Sequence, residues 1–336
     1  MEAHRLVERT HLAIGLIAGS ALWALAAEGE YSARPEVLEY IDGLVTEHGF
    51  DRTWLEEVFA GTTKSESVIE SISRPAEKVL AWHEYRAIFL TDKRIDGGVT
   101  FWKENAAAIA EAERRFGVAG EVVVAIIGVE TLYGRYLGSH RVIDALATLA
   151  FDYPRRSAFF KRELTQFLLL VREERKDPFG PMGSYAGAMG YGQFISSSYR
   201  HYAIDFDGDG KRDIWTNRTD AVGSVANYLS RHGWRGHGPA AVAVDATDDG
   251  VLELVQTGLD LNHTVGELRE RGALIGEDLN DGTAAALFRM EADDGTEYWL
   301  GLNDFYVITR YNHSAMYALA VLQLSQEIRR RFDAEP

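Results

Sequence analysis

Residues 122–138 read VVVAIIGVETLYGRYLG. Eight uncharged, mostly apolar residues, Val122 to Val129, lead directly to a single carboxylate, Glu130. Such a run, followed by a glycine at Gly134, predicts a buried helix that delivers Glu130 at its end. A carboxyl group among apolar neighbours keeps its proton to higher pH, because desolvation penalises the charged form. General acid catalysis near neutral pH needs such a group. The competing reading of this segment alone is an exposed glutamate at a helix end.

The next informative stretch, residues 183–199, reads GSYAGAMGYGQFISSSY. Gly187, Gly190 and Gly192 let the backbone approach another segment or a ligand closely. Ser184, Tyr185, Tyr191 and Gln193 add neutral hydrogen-bonding groups, a combination suited to a sugar-binding cleft. A phosphate loop is rejected, because no Walker lysine and no preceding strand pattern are present. The chain also lacks a G-x-S-x-G elbow and an HExxH helix, which removes the serine-hydrolase and metalloprotease motifs.

Residues 205–213, DFDGDGKRD, put Asp205, Asp207 and Asp209 at positions 1, 3 and 5 of a calcium-type loop, with Gly210 at 6, Lys211 offering its carbonyl at 7 and Asp213 at 9. Position 12 is Thr216 and not a bidentate glutamate, so this is no standard EF-hand. Asp220 is placed to supply the missing carboxylate. The alternative is an acidic, solvated turn.

On either side the pattern is simpler. From Pro35 to Phe116 it is helical and amphipathic, with Val37, Leu38, Ile41, Leu44 and Val45 at helical spacing. Further helical segments are predicted at Trp54–Phe59 and Gly98–Phe116, with a loop through Ser65–Pro75. Trp82, Tyr85, Phe89, Phe101 and Trp102 read mainly as core. Between Ala240 and Asp304, short apolar runs separated by Asp248-Asp249-Gly250 and Asp293-Asp294-Gly295 predict a small β-rich insert, interrupted by a helix at Thr264–Arg271. Ser314–Phe332 is an amphipathic helix with Ala318, Leu319, Val321, Leu322 and Leu324 on its apolar side. Glu163 falls on the solvated face of a helix at Lys161–Glu174. Asp144 and Asp152 read as capping or turn residues, and His83, His201 and His313 as structural.

The 336 residues provide for two or three domains. A net charge of -16 argues against a nucleic-acid partner. The absence of cysteine excludes disulfides, thiolate metal sites and a cysteine nucleophile. Arg5 and Arg9 precede the apolar run Leu12–Ala27, which ends in Ala24-Leu25-Ala26; residues 1–26 therefore read as a secretory signal peptide or an uncleaved anchor.

Taken in order, these segments resemble the membrane-bound lytic murein transglycosylase B family. The resemblance runs from about Tyr85 to the C-terminal helix. It is carried by GVETLYGRYLG, IDALATLAFDYPRR (Ile143–Arg156), GAMGYGQF, the aspartate loop, SVANYL (Ser224–Leu229) and TRYNHS (Thr309–Ser314). It implies a mainly α (α+β) protein. The lysozyme-like helical core would span 117–239 and 305–313, with a calcium loop at 205–220. A flanking α domain would span 30–116, with helix 314–333 packing back on it, and a small β-rich domain 240–304. It implies non-hydrolytic cleavage of the β-1,4 bond between N-acetylmuramic acid and N-acetylglucosamine in peptidoglycan, giving 1,6-anhydro ends. Glu130 would be the single acid/base, needing no catalytic cofactor. Ser184, Gln193, Tyr85, Tyr311 and Asn312 match the family's substrate residues, and Tyr191 and Tyr228 are further candidates to line the cleft. A structural Ca²⁺ would be held by Asp205, Asp207, Asp209, the Lys211 carbonyl and Asp220, the last match requiring one inserted residue.

The best-known members are lipoproteins. Without cysteine this chain cannot carry that anchor, so a soluble periplasmic or signal-anchored monomer is expected. Its partners would be glycan strands and proteins of cell-wall synthesis or remodelling. Two other readings compete: a hydrolytic muramidase using a second acid, and a non-catalytic, calcium-stabilised glycan-binding module.

Overall fold

Pro35 at the first helical position, where its fixed φ is already helical, starts α1 (Pro35–His48), and Gly49 in the left-handed region ends it. The Asp51 carboxylate caps α2 (Arg52–Ala60) by accepting the Trp54 N–H at 2.8 Å. The computed structural model describes residues 30–73, 80–246 and 248–334. The predicted signal peptide, and the far end of the predicted loop at Pro75, lie outside the described residues. Where the sequence predicted loop from Ser65, the chain forms α3 (Glu66–Ser73). Its Val68, Ile69 and Ile72 stand at helical spacing, a signal the flanking serines obscure; Val68 is buried, and the helix packs on the later helix 142–151.

The helices α4 (Trp82–Phe89), α5 (Asp92–Glu104) and α6 (Ala106–Phe116) follow. The single helix predicted at Gly98–Phe116 is broken at Asn105, which leaves helical geometry and donates its side-chain amide to the Phe101 carbonyl at 2.7 Å. Next come α7 (Gly120–Thr131), α8 (Val142–Phe151), α9 (Ser157–Glu173), α10 (Ser196–Tyr202) and α11 (Arg218–Arg231). The short helices α12 (Asp249–Leu252) and α13 (Val265–Glu270) lie in the next segment, and α14 (Asn303–Tyr311) and α15 (Ala315–Ala334) close the chain. The fold is mainly helical, as expected. No helix among the described residues is long and apolar enough to cross a membrane.

A two-stranded ribbon joins β1 (His140–Arg141) to β2 (Met182–Gly183), with His140 opposite Gly183. A four-stranded antiparallel sheet combines β3 (Ala241–Val244), β4 (His263–Thr264), β5 (Ala284–Ala292) and β6 (Gly295–Gly301) in the order β3-β6-β5-β4. Asp293 and Asp294 make the tight turn between β5 and β6, with Ala292 facing Gly295. This sheet has a core of its own, including Val242, Val251, Leu268, Leu287 and Leu300, apart from the main helical core.

α7 runs through the main core, against α5, α6, α11 and α15. Its Val122–Val124, Ile126 and Ile127 are β-branched and by local preference suit a strand. Burial on every side overrides that preference, since Val122 to Gly128 are all buried. Glu163 corrects the sequence reading: it is buried, and its Oε2 accepts the Ser197 N–H at 2.9 Å. A carboxylate there complements the exposed amides at the start of α10. Asp144 is likewise buried, accepting the Thr63 N–H at 2.9 Å and Nε of Arg141 at 2.6 Å.

Candidate active site

The end of α7 sets the position of Glu130. After Thr131 the chain turns left-handed at Leu132 (φ 50°) and Tyr133 (φ 61°), two residues before Gly134, where the sequence had placed the break. Two successive non-glycine residues in that region cost about 1–2 kcal/mol each. Packing holds them there. The Tyr133 hydroxyl donates to the Arg94 carbonyl at 2.8 Å, and the Arg94 guanidinium donates to the Gly128 carbonyl near the end of α7. Gly134 must be glycine: its φ is 88°, and a Cβ there would lie 2.1 Å from the Tyr191 ring.

Thr131 ties this turn to the glycine-rich stretch. Its hydroxyl lies 3.0 Å from the Tyr191 carbonyl and accepts the Gly134 N–H, also at 3.0 Å. The Tyr311 hydroxyl, at the end of α14, donates to the Gly192 carbonyl at 2.5 Å. Three separated segments thus converge beside Glu130.

Glu130 itself is half-buried. Its Oε1 accepts a 2.6 Å hydrogen bond from the Tyr317 hydroxyl on α15. Tyr317 is buried, and burial together with the negative charge of Glu130 pushes its phenol well above the usual value. Tyr311 is shifted the same way, by burial and then by Glu130, and Tyr85 adds to the shift at Tyr317. Tyr317 went unnoticed in the sequence, where it lies in a helix read only for its apolar side. The one available signal was a tyrosine three residues beyond TRYNHS, on the face that turns back toward the core.

The other cleft candidates named from the sequence each have contacts of their own. Tyr228 lies edge-on to Tyr311, with ring centroids 4.7 Å apart, and its hydroxyl donates to the Arg310 carbonyl at 2.5 Å. Tyr85 is buried on α4 against Phe89, and Asn312 directly follows Tyr311. Gln193 takes a left-handed backbone (φ 48°), and its Nε2 donates to the carbonyls of Gly190 at 2.9 Å and Leu137 at 3.3 Å. The Ser184 hydroxyl accepts the N–H groups of Ala188 at 3.1 Å and Ala186 at 3.3 Å. Both polar side chains therefore shape the glycine-rich turn, and Tyr191 anchors it from beneath Gly134.

A second cluster lies between α10 and α11. Ligand oxygens of Asp205, Asp207 and Asp209 all lie within 4.8 Å of one another. Gly208 and Gly210 take the left-handed backbone that lets the loop fold around them, and Asp205 accepts the N–H groups of Gly208 and Gly210 at 2.7 and 2.8 Å. Asp213 turns its carboxylate onto the Trp215 and Thr216 backbone instead. Asp220 is buried, and its two oxygens accept the N–H groups of Phe206 at 2.7 Å and Asp213 at 2.8 Å. Burial pushes its carboxyl above the usual range against the pull of those backbone bonds, and the Asp207 charge adds to the rise. Close hard oxygens, an excess of negative charge and a tight glycine-bearing turn fit a divalent cation such as Ca²⁺. Among the described residues no other group of metal-ligating side chains comes together.

Among the described residues, four acids besides Glu130 are buried and so are candidates for a second catalytic carboxylate: Asp144, Glu163, Asp220 and Asp304. Each is occupied in holding backbone N–H groups; Asp304 takes those of Arg235 and Gly236, both at 2.8 Å.

Residues 33–326 match the transglycosylase SLT domain family. The chain is 41% identical over 309 residues to membrane-bound lytic murein transglycosylase B of Escherichia coli (strain K12), spanning 89% of this chain and 84% of that protein. Its structure is similar to that of catenated lytic transglycosylase SltB1 from Pseudomonas aeruginosa, with a TM-score of 0.87 and 48% identity over 90% of this chain and 100% of that one. It is also similar to the Escherichia coli lytic transglycosylase Slt35 in complex with calcium, with a TM-score of 0.83 and 41% identity over 91% and 96% of the two chains.

Proposed function

This chain belongs to the lytic murein transglycosylases of the SLT domain family, and on that premise we propose that Glu130 is its single catalytic acid/base. As a member of that family it is an enzyme that degrades peptidoglycan. The observation that carries the assignment of Glu130 is the 2.6 Å bond from the buried Tyr317 hydroxyl, which orients one half-buried carboxylate at the meeting point of α7, α14 and α15.

In the first step Glu130 gives its proton to the glycosidic oxygen as the bond to C1 of N-acetylmuramic acid breaks. The sugar's own 2-acetamido oxygen stabilises C1. The C6 hydroxyl of the same sugar then attacks C1, and Glu130 takes the hydroxyl proton. Both reacting groups are tethered in one residue, so ring closure gains from high effective molarity. No water is consumed, and the product carries a 1,6-anhydro ring. A hydrolytic muramidase would need a second carboxylate to activate water, and the structural duties of the four buried acids argue against one. Ser184, Gln193, Tyr85, Tyr191, Tyr228, Tyr311 and Asn312 line the glycan cleft in this reading.

Asp205, Asp207 and Asp209, with the Lys211 carbonyl and Asp220, are the residues that would hold Ca²⁺. Bound there, the ion neutralises the clustered carboxylates and braces the loop between α10 and α11. The enzyme works as a periplasmic monomer on glycan strands, released from its signal segment or held by it. Digestion of purified murein tests the reaction type: the disaccharide product should be one water lighter than the hydrolytic product. A product of hydrolytic mass would assign the chain a muramidase reaction instead.

A further inference from the structure

Three residues past Glu130, the side chain of Tyr133 occupies a slot made by three glycines on two helices. A Cβ at Gly98 on α5 would lie 2.7 Å from the Tyr133 hydroxyl, and one at Gly128 on α7 would lie 2.5 Å from it. A Cβ at Gly97 would lie 2.9 Å from the Tyr133 ring. Any larger residue at these positions would displace the ring. Glycine is a poor helix former, so three of them around one side chain mark a place where close approach outweighs helix stability. Burial in the slot pushes the Tyr133 phenol above the ordinary tyrosine value.

Hydrogen bonds cross between the helices in both directions. The Tyr133 hydroxyl donates to the Arg94 carbonyl on α5 at 2.8 Å, and the Arg94 guanidinium donates to the Gly128 carbonyl on α7. The Phe89 ring supports that guanidinium, its centroid 5.1 Å from Cζ. The Gly128 carbonyl also accepts the Leu132 N–H at 3.1 Å, and the Ile127 carbonyl accepts the Tyr133 N–H at 3.4 Å. These two bonds close the last turn of α7, which carries Glu130. A cation at that end also suits the helix dipole. Leu132 and Tyr133 have no intrinsic preference for the left-handed backbone they adopt, so the turn depends on what holds the Tyr133 ring.

We propose that Arg94 and Tyr133 are positioning residues, a clamp through which α5 fixes the backbone at Glu130 while Tyr317 fixes its carboxylate from α15. The three helices α5, α7 and α15 pack on one another, so they form one frame around the carboxylate. The clamp rests on the reading of Glu130 as acid/base. In that reading one carboxylate serves two oxygens in succession, the glycosidic oxygen and then the C6 hydroxyl. A displacement of about 1 Å in such an arrangement can cost about a hundredfold in rate.

Steady-state kinetics of the full chain on purified murein test the clamp. Tyr133→Phe keeps the ring in its slot and removes the bond to the Arg94 carbonyl. Arg94→Met removes the guanidinium and keeps an apolar stem against Phe89. Each variant should lower kcat about tenfold and leave KM within about twofold, the pattern of a displaced acid and not of a lost substrate contact. The control is Tyr40→Phe, which removes a hydroxyl bonded to Thr165 at 2.7 Å between α1 and α9. It should lower the melting temperature by a similar few degrees and leave kcat within about twofold. Wild-type kcat in either folded clamp variant, a raised KM with unchanged kcat, or an equal loss of kcat in Tyr40→Phe overturns the proposal. If Arg94→Met fails to fold, Tyr133→Phe alone decides between these results. Failure of the Glu130 reading would show separately, as turnover that survives Glu130→Gln.

Discussion

The hydroxyl of Tyr317 lies 2.6 Å from Oε1 of Glu130, a contact between residues 187 positions apart in the chain. The bond joins α15 to the end of α7, so the carboxylate is set by an element distant in the chain. Tyr317→Phe removes the hydroxyl and keeps the ring. A hydrogen bond to a charged group is worth about 1.5–3 kcal/mol, so kcat should fall roughly ten- to hundredfold. The ring still fills its buried place, so melting temperature should shift by only a few degrees. Wild-type kcat in a folded Tyr317→Phe variant would show that the contact does not position Glu130.

Calcium should raise the melting temperature relative to chelator, because an ion bound only by the folded state stabilises it by mass action. Asp205→Asn, which alters the carboxylate that also receives three loop N–H groups, should abolish the difference. Equal melting curves with calcium and with chelator would restore the reading of an acidic, solvated turn.

Ser184→Ala should cost both stability and rate. The hydroxyl accepts the Ala186 and Ala188 N–H groups, so its loss loosens the turn that carries Gln193. A drop in kcat/KM of about fivefold, with a melting temperature a few degrees lower, is expected from the loss of about 1 kcal/mol of hydrogen bonding. Unchanged kinetics with a lowered melting temperature would confine Ser184 to a scaffold role.

Alkaline pH should unfold the protein through its buried phenols. Burial, and after it the charge of Glu130, holds Tyr311 and Tyr317 well above the ordinary tyrosine value. The unfolded chain releases these protons near pH 10 and the folded chain does not. Stability from these groups is therefore complete below pH 10 and declines as pH rises beyond it, by about 1.4 kcal/mol per pH unit for each such phenol. Melting temperature measured from pH 8 to 11 should be level at first and then fall, less steeply in Tyr317→Phe. A melting temperature that holds level to pH 11 would contradict the burial of these phenols.

The elements that announced themselves in the sequence are those whose pattern is local. The apolar run of α7 ended on one acid, the Asp-Gly turns divided the short strands, and the aspartate spacing outlined the loop. What the sequence hid depends on distant partners. Glu163 looks solvated in its own helix, and only the arrival of Ser197 explains its burial. α3 is the exception: Val68, Ile69 and Ile72 stand at helical spacing, and the serines around them obscured a signal that was local. The left-handed pair Leu132 and Tyr133 is held by Arg94, which no reading of residues 122–138 would include. Tyr317 belongs to the same class, because its role exists only once α15 lies on α7.

The most direct test is turnover of purified murein by Glu130→Gln beside the wild type, with products read by mass spectrometry and folding by melting temperature. Glutamine keeps the shape and removes the transferable proton. The wild type should release 1,6-anhydro disaccharides, one water lighter than hydrolytic products. The variant should fold normally and lose roughly a thousandfold or more in rate, the scale of a positioned acid/base. A folded Glu130→Gln that still cleaves murein at near wild-type rate would contradict the assignment of Glu130.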